Sequence, residues 1–210
     1  MAVLPQALRR AVPDRLRDDV RLRAFAVGAG IIPPRTLHSA GERDLLQRLA
    51  RGADRVVEIG VYEGASAAAL CEAMRPDAEL HLIDPFGHHP TALPAGWGAV
   101  EKASRRVVSR AARHGPRVVW HIERSEDTGR GWTQPVDVVF IDGDHAEEAT
   151  RVDWELFSPH VVPGGHVLFH DATGPHALPG PQRVVAEVSA RPGWEVVAEV
   201  DRTLAVRKSA

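Results

Sequence analysis

Residues 55–66 read Arg-Val-Val-Glu58-Ile-Gly60-Val-Tyr62-Glu-Gly64-Ala-Ser66. The stretch 55–61 is a nearly unbroken apolar run, the signature of a strand buried on both faces of a parallel sheet. The glycines after it allow a tight turn and a close backbone approach to a ligand. Helical sequence resumes at 66–74, SAAALCEAM. A strand feeding a glycine turn and then a helix is the opening unit of an α/β fold.

The same alternation continues outward. Upstream, Ser39-Ala-Gly-Glu42 forms a capping box before DLLQRLA, with Gly52 as the stop signal. Downstream, strands are predicted at 80–84, 117–122, 136–142 and 164–171, and helices at 100–115, 145–157 and 181–191. The stretches 194–200 and 203–209 are two further strands joined only by Asp201-Arg202. So short a link demands an antiparallel hairpin, because a parallel return needs a dozen residues or more. The expected fold is therefore α/β: a doubly wound, mostly parallel seven-stranded sheet with an antiparallel C-terminal strand. The opening residues read as irregular. The loop 172–181, rich in Gly and Pro, is expected to act as a lid.

Composition removes several classes. The chain has 210 residues, 44% hydrophobic and 26% charged, which are globular values. A net charge of −2 gives no basic field for nucleic acid. No segment has the length or apolarity of a membrane span, and acids at Asp14, Asp18 and Asp19 spoil an Arg-rich opening as a transit peptide. A cytoplasmic location is expected. The single Cys71 excludes a disulfide framework and reads as a buried, inert thiol. The five tryptophans read as core or pocket wall.

In an open α/β sheet, ligands bind at the carboxyl ends of the strands where strand order reverses. The first strand delivers Glu58, Gly60, Tyr62 and Gly64. Tyr62 stands where a dinucleotide fingerprint needs its middle glycine, which counts against a nicotinamide dehydrogenase. Glu58 would repel a pyrophosphate but suits a cationic ligand carrying an ammonium and a sulfonium. The second strand ends in Asp84, placed to accept hydrogen bonds from ribose hydroxyls. The fourth and fifth deliver Asp142-Gly-Asp144-His145 and His170-Asp171, whose carboxylates should converge. Such a pair suits a divalent cation, and the imidazole of His170 favours Mn²⁺, Fe²⁺ or Zn²⁺ over Mg²⁺. His145, near neutrality, suits a general base. His88, His89 and His176 lie in loops, and Asp153 and Glu155 read as solvated or packing-pair helix charges.

Taken in order, Glu58-x-Gly60-x-x-x-Gly64, Asp84, Phe140-Ile-Asp-Gly-Asp-His145 and Pro163-Gly-Gly-His-Val-Leu-Phe-His-Asp171 resemble a class I S-adenosylmethionine-dependent methyltransferase. The small-molecule subgroup with the macrocin O-methyltransferases is the nearest likeness, and catechol O-methyltransferase is more distant. The resemblance spans roughly residues 40–209. It implies that Glu58, Gly60, Tyr62 and Gly64 form the methionine side of an S-adenosylmethionine site, that Asp84 holds the ribose and that Ser125 meets the adenine. It places Asp142 beside the transferred methyl. Metal-dependent relatives carry an acidic pair where this chain has His170-Asp171, so Asp142, His170 and Asp171 are the expected ligands of a divalent cation such as Mg²⁺ or Mn²⁺.

The expected enzyme thus transfers a methyl group to a small-molecule hydroxyl, with Asp142, His145 and Asp171 as catalytic residues. Residues 39–210 would form the methyltransferase domain, and 1–38 a helical lid or a dimer contact, with a homo-oligomer as the expected partner state. Two other readings stay open on the residues alone. One is a metal-dependent hydrolase built on the acid–histidine block, and the other is a non-catalytic nucleotide-binding module.

Overall fold

The structure is a computed structural model and describes residues 19–87 and 96–209. In chain order its elements are α1 (Val20–Gly28), α2 (Ala40–Ala50), β1 (Arg55–Ile59), α3 (Ala65–Ala73), β2 (Glu79–Ile83), α4 (Trp97–Ala111), β3 (Arg117–His121), α5 (Ser125–Arg130), β4 (Val136–Ile141), α6 (Glu147–Phe157), β5 (Val161–Phe169), α7 (Pro179–Ser189), β6 (Trp194–Val200) and β7 (Thr203–Lys208). Short 3₁₀ turns follow α4 and α6.

The seven strands lie in the order β3-β2-β1-β4-β5-β7-β6. The first five are parallel, and β7 runs antiparallel between β5 and β6. Alternation along each strand sorts the core into two layers. Val56, Leu80, Val138 and Phe140 face Leu45, Leu70 and Val100 of α2, α3 and α4. Val57, Val139, Ile141 and Phe169 face Trp154, Phe157 and Val184 of α6 and α7. Strand order reverses between β1 and β4, so the crevice for a ligand opens at their carboxyl ends.

The helix expected within 1–38 spans Val20–Gly28, and α5 lies where no helix was expected. α1 shows no amphipathic stripe, yet Ala24 and Val27 are buried and Gly28 rests on α4 at Ala103. Residues 20–28 therefore share the main core. α5 has only six residues, too few for a periodic signal. The predicted lid is tied down: Ala172 N–H donates to Arg202 O at 2.9 Å, and Leu178 N–H to Asp171 O at 2.7 Å. Cys71 is buried, with its thiol pushed up to about 12 by burial. Among the described residues, no helix is long and apolar enough to cross a membrane.

One buried pair on β2 and β3 carries a pH prediction. His81 Nδ1 lies 3.0 Å from His121 Nε2, and His81 also packs edge-on against Trp132. Burial pushes His81 down from 6.5 to about 4, outweighing the nearby Glu79. The unfolded chain therefore binds this proton between pH 6.5 and 4 while the folded chain does not. Stability is complete above that window and falls as the pH drops through it, by about 3 kcal/mol. Urea denaturation across the window should show wild type losing that much more stability than His81→Leu.

Candidate active site

A cleft of about 450 Å³ opens at the carboxyl ends of β1, β2 and β4. Its walls come from Gly60, Tyr62 and Ser66, from Asp84 to Phe86, from Trp97, from Arg124 to Glu126, and from Asp142 to His145. Arg35, Leu37 and His38, between α1 and α2, complete the rim. The volume is that of a small-molecule pocket. Residues 172–181, expected to act as a lid, are not among its lining residues, and His176 is exposed. His88 and His89 lie outside the described residues.

The first turn is organised around Asp84. Its Oδ2 accepts the Val61 and Tyr62 N–H groups, both at 2.9 Å, and its Oδ1 accepts Phe86 N–H at 2.8 Å. Tyr62 and Phe86 both hold left-handed backbone, at φ 49° and 41°, which these three bonds stabilise. Burial raises the Asp84 pKa against the pull of the same N–H groups. One lone pair on Oδ1 remains for a hydroxyl in the cleft.

Gly60 has φ +88°, and a Cβ there would sit 2.0 Å from the Asp142 carbonyl oxygen. The glycine thus lets the β1 and β4 turns touch. Gly64 caps α3 with φ +81°, and a Cβ there would meet Ser104 Oγ on α4 at 2.8 Å. Its lack of a side chain permits helix packing, and it does not line the cleft. Glu58 also lies behind the wall. It is fully buried, accepts the Ser66 hydroxyl on Oε1, and has no hydrogen-bond partner on Oε2 among the described residues. Burial pushes its pKa well above the carboxylate range, with Ser66 opposing and Asp142 and Asp84 adding. The cleft-facing member of this pair is Ser66, which the sequence reading left out of the site.

At the far wall, Ser125 is the first residue of α5, and Asp153 from α6 stands beside it. Of the two roles open to Asp153, the solvated one does not hold. The residue is 2% exposed, because the face of α6 that carries Thr150, Trp154 and Phe157 turns inward and takes Asp153 with it. Glu155 is exposed, as expected.

Asp142, His145, His170 and Asp171 converge, with one potential ligand atom from each lying within 4.8 Å of the others. His170 Nδ1 lies 2.9 Å from Asp142 Oδ1 and 3.3 Å from Asp171 Oδ2. His145 Nε2 lies 3.3 Å from Asp171 Oδ2 and 3.7 Å from Asp142 Oδ1. His38, absent from the expected set, brings Nε2 to 3.2 Å from Asp142 Oδ2 and stacks edge-on against His170. Its only signal in sequence is its place beside the capping box. Burial acts to raise the Asp142 pKa, but His145, His170 and His38 outweigh it and hold the carboxylate far below its ordinary range. His145 is raised in return, chiefly by Asp142.

The donor set fits a divalent cation. Among the described residues, His170 is buried with no aligned hydrogen-bond partner on either ring nitrogen, and His38 Nε2 is in the same state. Close contacts at poor hydrogen-bond angles leave these atoms costly to bury. Asp171, at φ +53°, pairs through Oδ1 with the Arg202 guanidinium at 2.6 Å and keeps Oδ2 toward the cluster. Glu42 braces it from behind. Its Oε1 accepts Arg202 N–H at 3.1 Å and the Thr203 hydroxyl at 2.9 Å, and lies 3.6 Å from His170 Nε2. Its Oε2 accepts Ser39 N–H at 2.7 Å and closes the capping box.

Several solved structures share this architecture. The O-methyltransferase TomG of Streptomyces achromogenes, described in complex with S-adenosylmethionine, is 21% identical, with a TM-score of 0.61 over 92% of this chain and 91% of its own. An O-methyltransferase of Bacillus cereus, described with S-adenosylhomocysteine, is 18% identical, with a TM-score of 0.61 over 96% and 97%. A methyltransferase of Geobacter sulfurreducens is 17% identical, with a TM-score of 0.61 over the whole of both chains. Among curated proteins, an uncharacterized protein of Acanthamoeba polyphaga mimivirus is 32% identical over 144 residues, covering 64% of this chain. The chain spans about 60% of the length of that relative. The family described as "Methyltransferase domain" matches residues 57–172, from the first turn through the acid–histidine block. That match covers more than half of the sequence, and the chain belongs to this methyltransferase family.

Proposed function

We propose that the chain is an S-adenosylmethionine-dependent methyltransferase whose acceptor is a small-molecule hydroxyl. The observation that carries this reading is the Asp142 carboxylate, which faces the cleft among three imidazoles, next to the turn organised by Asp84. The solved relatives described with S-adenosylmethionine or S-adenosylhomocysteine support it, as does family membership, which also weighs against a hydrolase or an inert nucleotide module.

When bound, the sulfonium supplies an electrophilic methyl, and a divalent cation at Asp142, His170 and Asp171 would polarise the acceptor oxygen. The chain's own residues do the rest. Ser66, fixed by Glu58, holds the methionine end, Asp84 accepts from the ribose, and Ser125 closes the adenine end. Asp142 aligns the acceptor hydroxyl with the methyl, and alignment of this kind is worth about 7 kcal/mol or more in the best cases. His145, the most exposed imidazole of the cluster, takes the acceptor proton on Nε2. Exposed Val20, Leu22 and Phe25 on α1 support a homo-oligomer contact through that helix.

Calorimetric titration of the full chain with S-adenosylmethionine and S-adenosylhomocysteine tests the reading. Saturable one-site binding of both is the expected result. An absence of heat and of any thermal stabilisation at millimolar ligand would overturn it.

A further inference from the structure

Glu42 carries more burial than its capping role requires. A capping box uses one carboxylate oxygen, and Oε2 fills that need by accepting Ser39 N–H at 2.7 Å. The whole residue is nevertheless 3% exposed. Its second oxygen, Oε1, lies where the hairpin meets the end of β5, with Arg202 N–H at 3.1 Å and the Thr203 hydroxyl at 2.9 Å. Among the described residues, the one basic side chain that pairs with it is His170, whose Nε2 stands 3.6 Å from Oε1. Burying a carboxylate with no lysine or arginine against it is costly. The ring it faces is itself 2% exposed and points its other nitrogen, Nδ1, at Asp142 Oδ1 and Asp171 Oδ2. Glu42 thus backs the only imidazole of the cluster that is sealed from solvent.

We propose that Glu42 is a positioning residue, which fixes the His170 ring so that Nδ1 offers its lone pair to a divalent cation held with Asp142 and Asp171. The inference rests on the reading of those three residues as a cation site. A neutral imidazole carries its proton on one nitrogen and its lone pair on the other. The 3.6 Å separation exceeds a hydrogen bond, yet a fixed negative charge at that distance in a buried site still favours the proton on Nε2. That leaves the lone pair on Nδ1, the nitrogen that looks into the cluster. A carboxylate behind a ligating histidine sets its tautomer and ring orientation and strengthens it as a donor.

The test is calorimetric titration of Mn²⁺ into the full chain, freed of metal, for wild type, Glu42→Gln, His170→Ala and the double variant. Glu42→Gln keeps length and volume and removes the charge. It should weaken Mn²⁺ binding by about 10–100-fold. Added to His170→Ala, the same substitution should cost about threefold or less, because the ring through which it acts is gone. A purely structural role predicts otherwise: Glu42→Gln within about threefold of wild type, or an undiminished loss in the His170→Ala background, overturns the proposal. If His170→Ala binds too weakly to complete the cycle, Thr203→Val is the comparison, since it loosens the same corner and keeps the charge. The loss in Glu42→Gln must then exceed that in Thr203→Val by about threefold or more, and a smaller margin overturns the proposal. If Glu42→Gln does not fold, Glu42→Asp replaces it under the same limits, because it draws the acid back from Nε2. A wild type that binds no Mn²⁺ overturns the cation site itself, a result distinct from wild type and variant binding alike.

Discussion

Asp142→Asn is expected to lower methyl transfer by about 10²–10³-fold while the chain remains folded. The carboxylate has His38, His145 and His170 on it and faces the cleft, so its charge is spent on the site and not on the sheet. The readout is S-adenosylhomocysteine release with a hydroxyl acceptor found by screening. Asp171→Asn should follow it, and a chelator should reproduce both losses, with Mn²⁺ or Zn²⁺ restoring activity better than Mg²⁺ because the donor set is rich in imidazole. An inert chelator combined with a larger defect in His145→Ala would select general-base chemistry without a metal. Near-wild-type turnover in all three variants would remove the cluster from the mechanism.

Gly60→Ala should be the most damaging single methyl group added to the fold. The new Cβ would lie 2.0 Å from the Asp142 carbonyl oxygen, and the backbone there has φ +88°. Neither strand end can retreat, because Gly60 N–H donates to Ile83 O at 2.9 Å and Asp142 N–H to Ile59 O at 2.8 Å. Overpacking of backbone on backbone together with a disfavoured φ puts the loss above about 4 kcal/mol. Gly52→Ala is the matched control. It has a similar φ of +90° but, among the described residues, nothing within 4 Å of the added carbon, so about 1 kcal/mol is expected. Urea denaturation of the two variants separates steric closure from backbone preference. It also shows why a substitution at Gly60 is a poor probe of cofactor affinity, since the fold fails first.

The sheet was legible in the sequence because its strands are continuous apolar runs and its hairpin has a two-residue link. Each strand falls within a few residues of its expected place, and Asp84, Asp142 and Asp171 stand at strand ends as the topology requires. What sequence could not show is which way side chains at those ends turn. Glu58 and Gly64 belong to a motif that reads as ligand-facing, yet one is sealed beneath Ser66 and the other serves the contact between α3 and α4. Asp153 looks like a helix charge until α6 is laid on the sheet. His38 precedes the first strand and reaches the site only because α2 starts beside the hairpin. Glu42 was legible as a capping residue, but its bonds to Arg202 and Thr203 depend on contacts that no local pattern encodes.

Those bonds have a consequence for how the protein is made. Glu42 and Thr203 are 161 residues apart, and the carboxylate that steadies His170 is complete only when both have met. A ribosome adds about 5–20 residues per second, so Glu42 waits on the order of ten seconds or more for its partners. During that time, strands β1 to β5 can pair while the buried acid has only its own helix cap to satisfy it. The corner that carries the chemistry is thus the last part of the domain to close. A nascent chain arrested before residue 202 would hold a sheet without a working site.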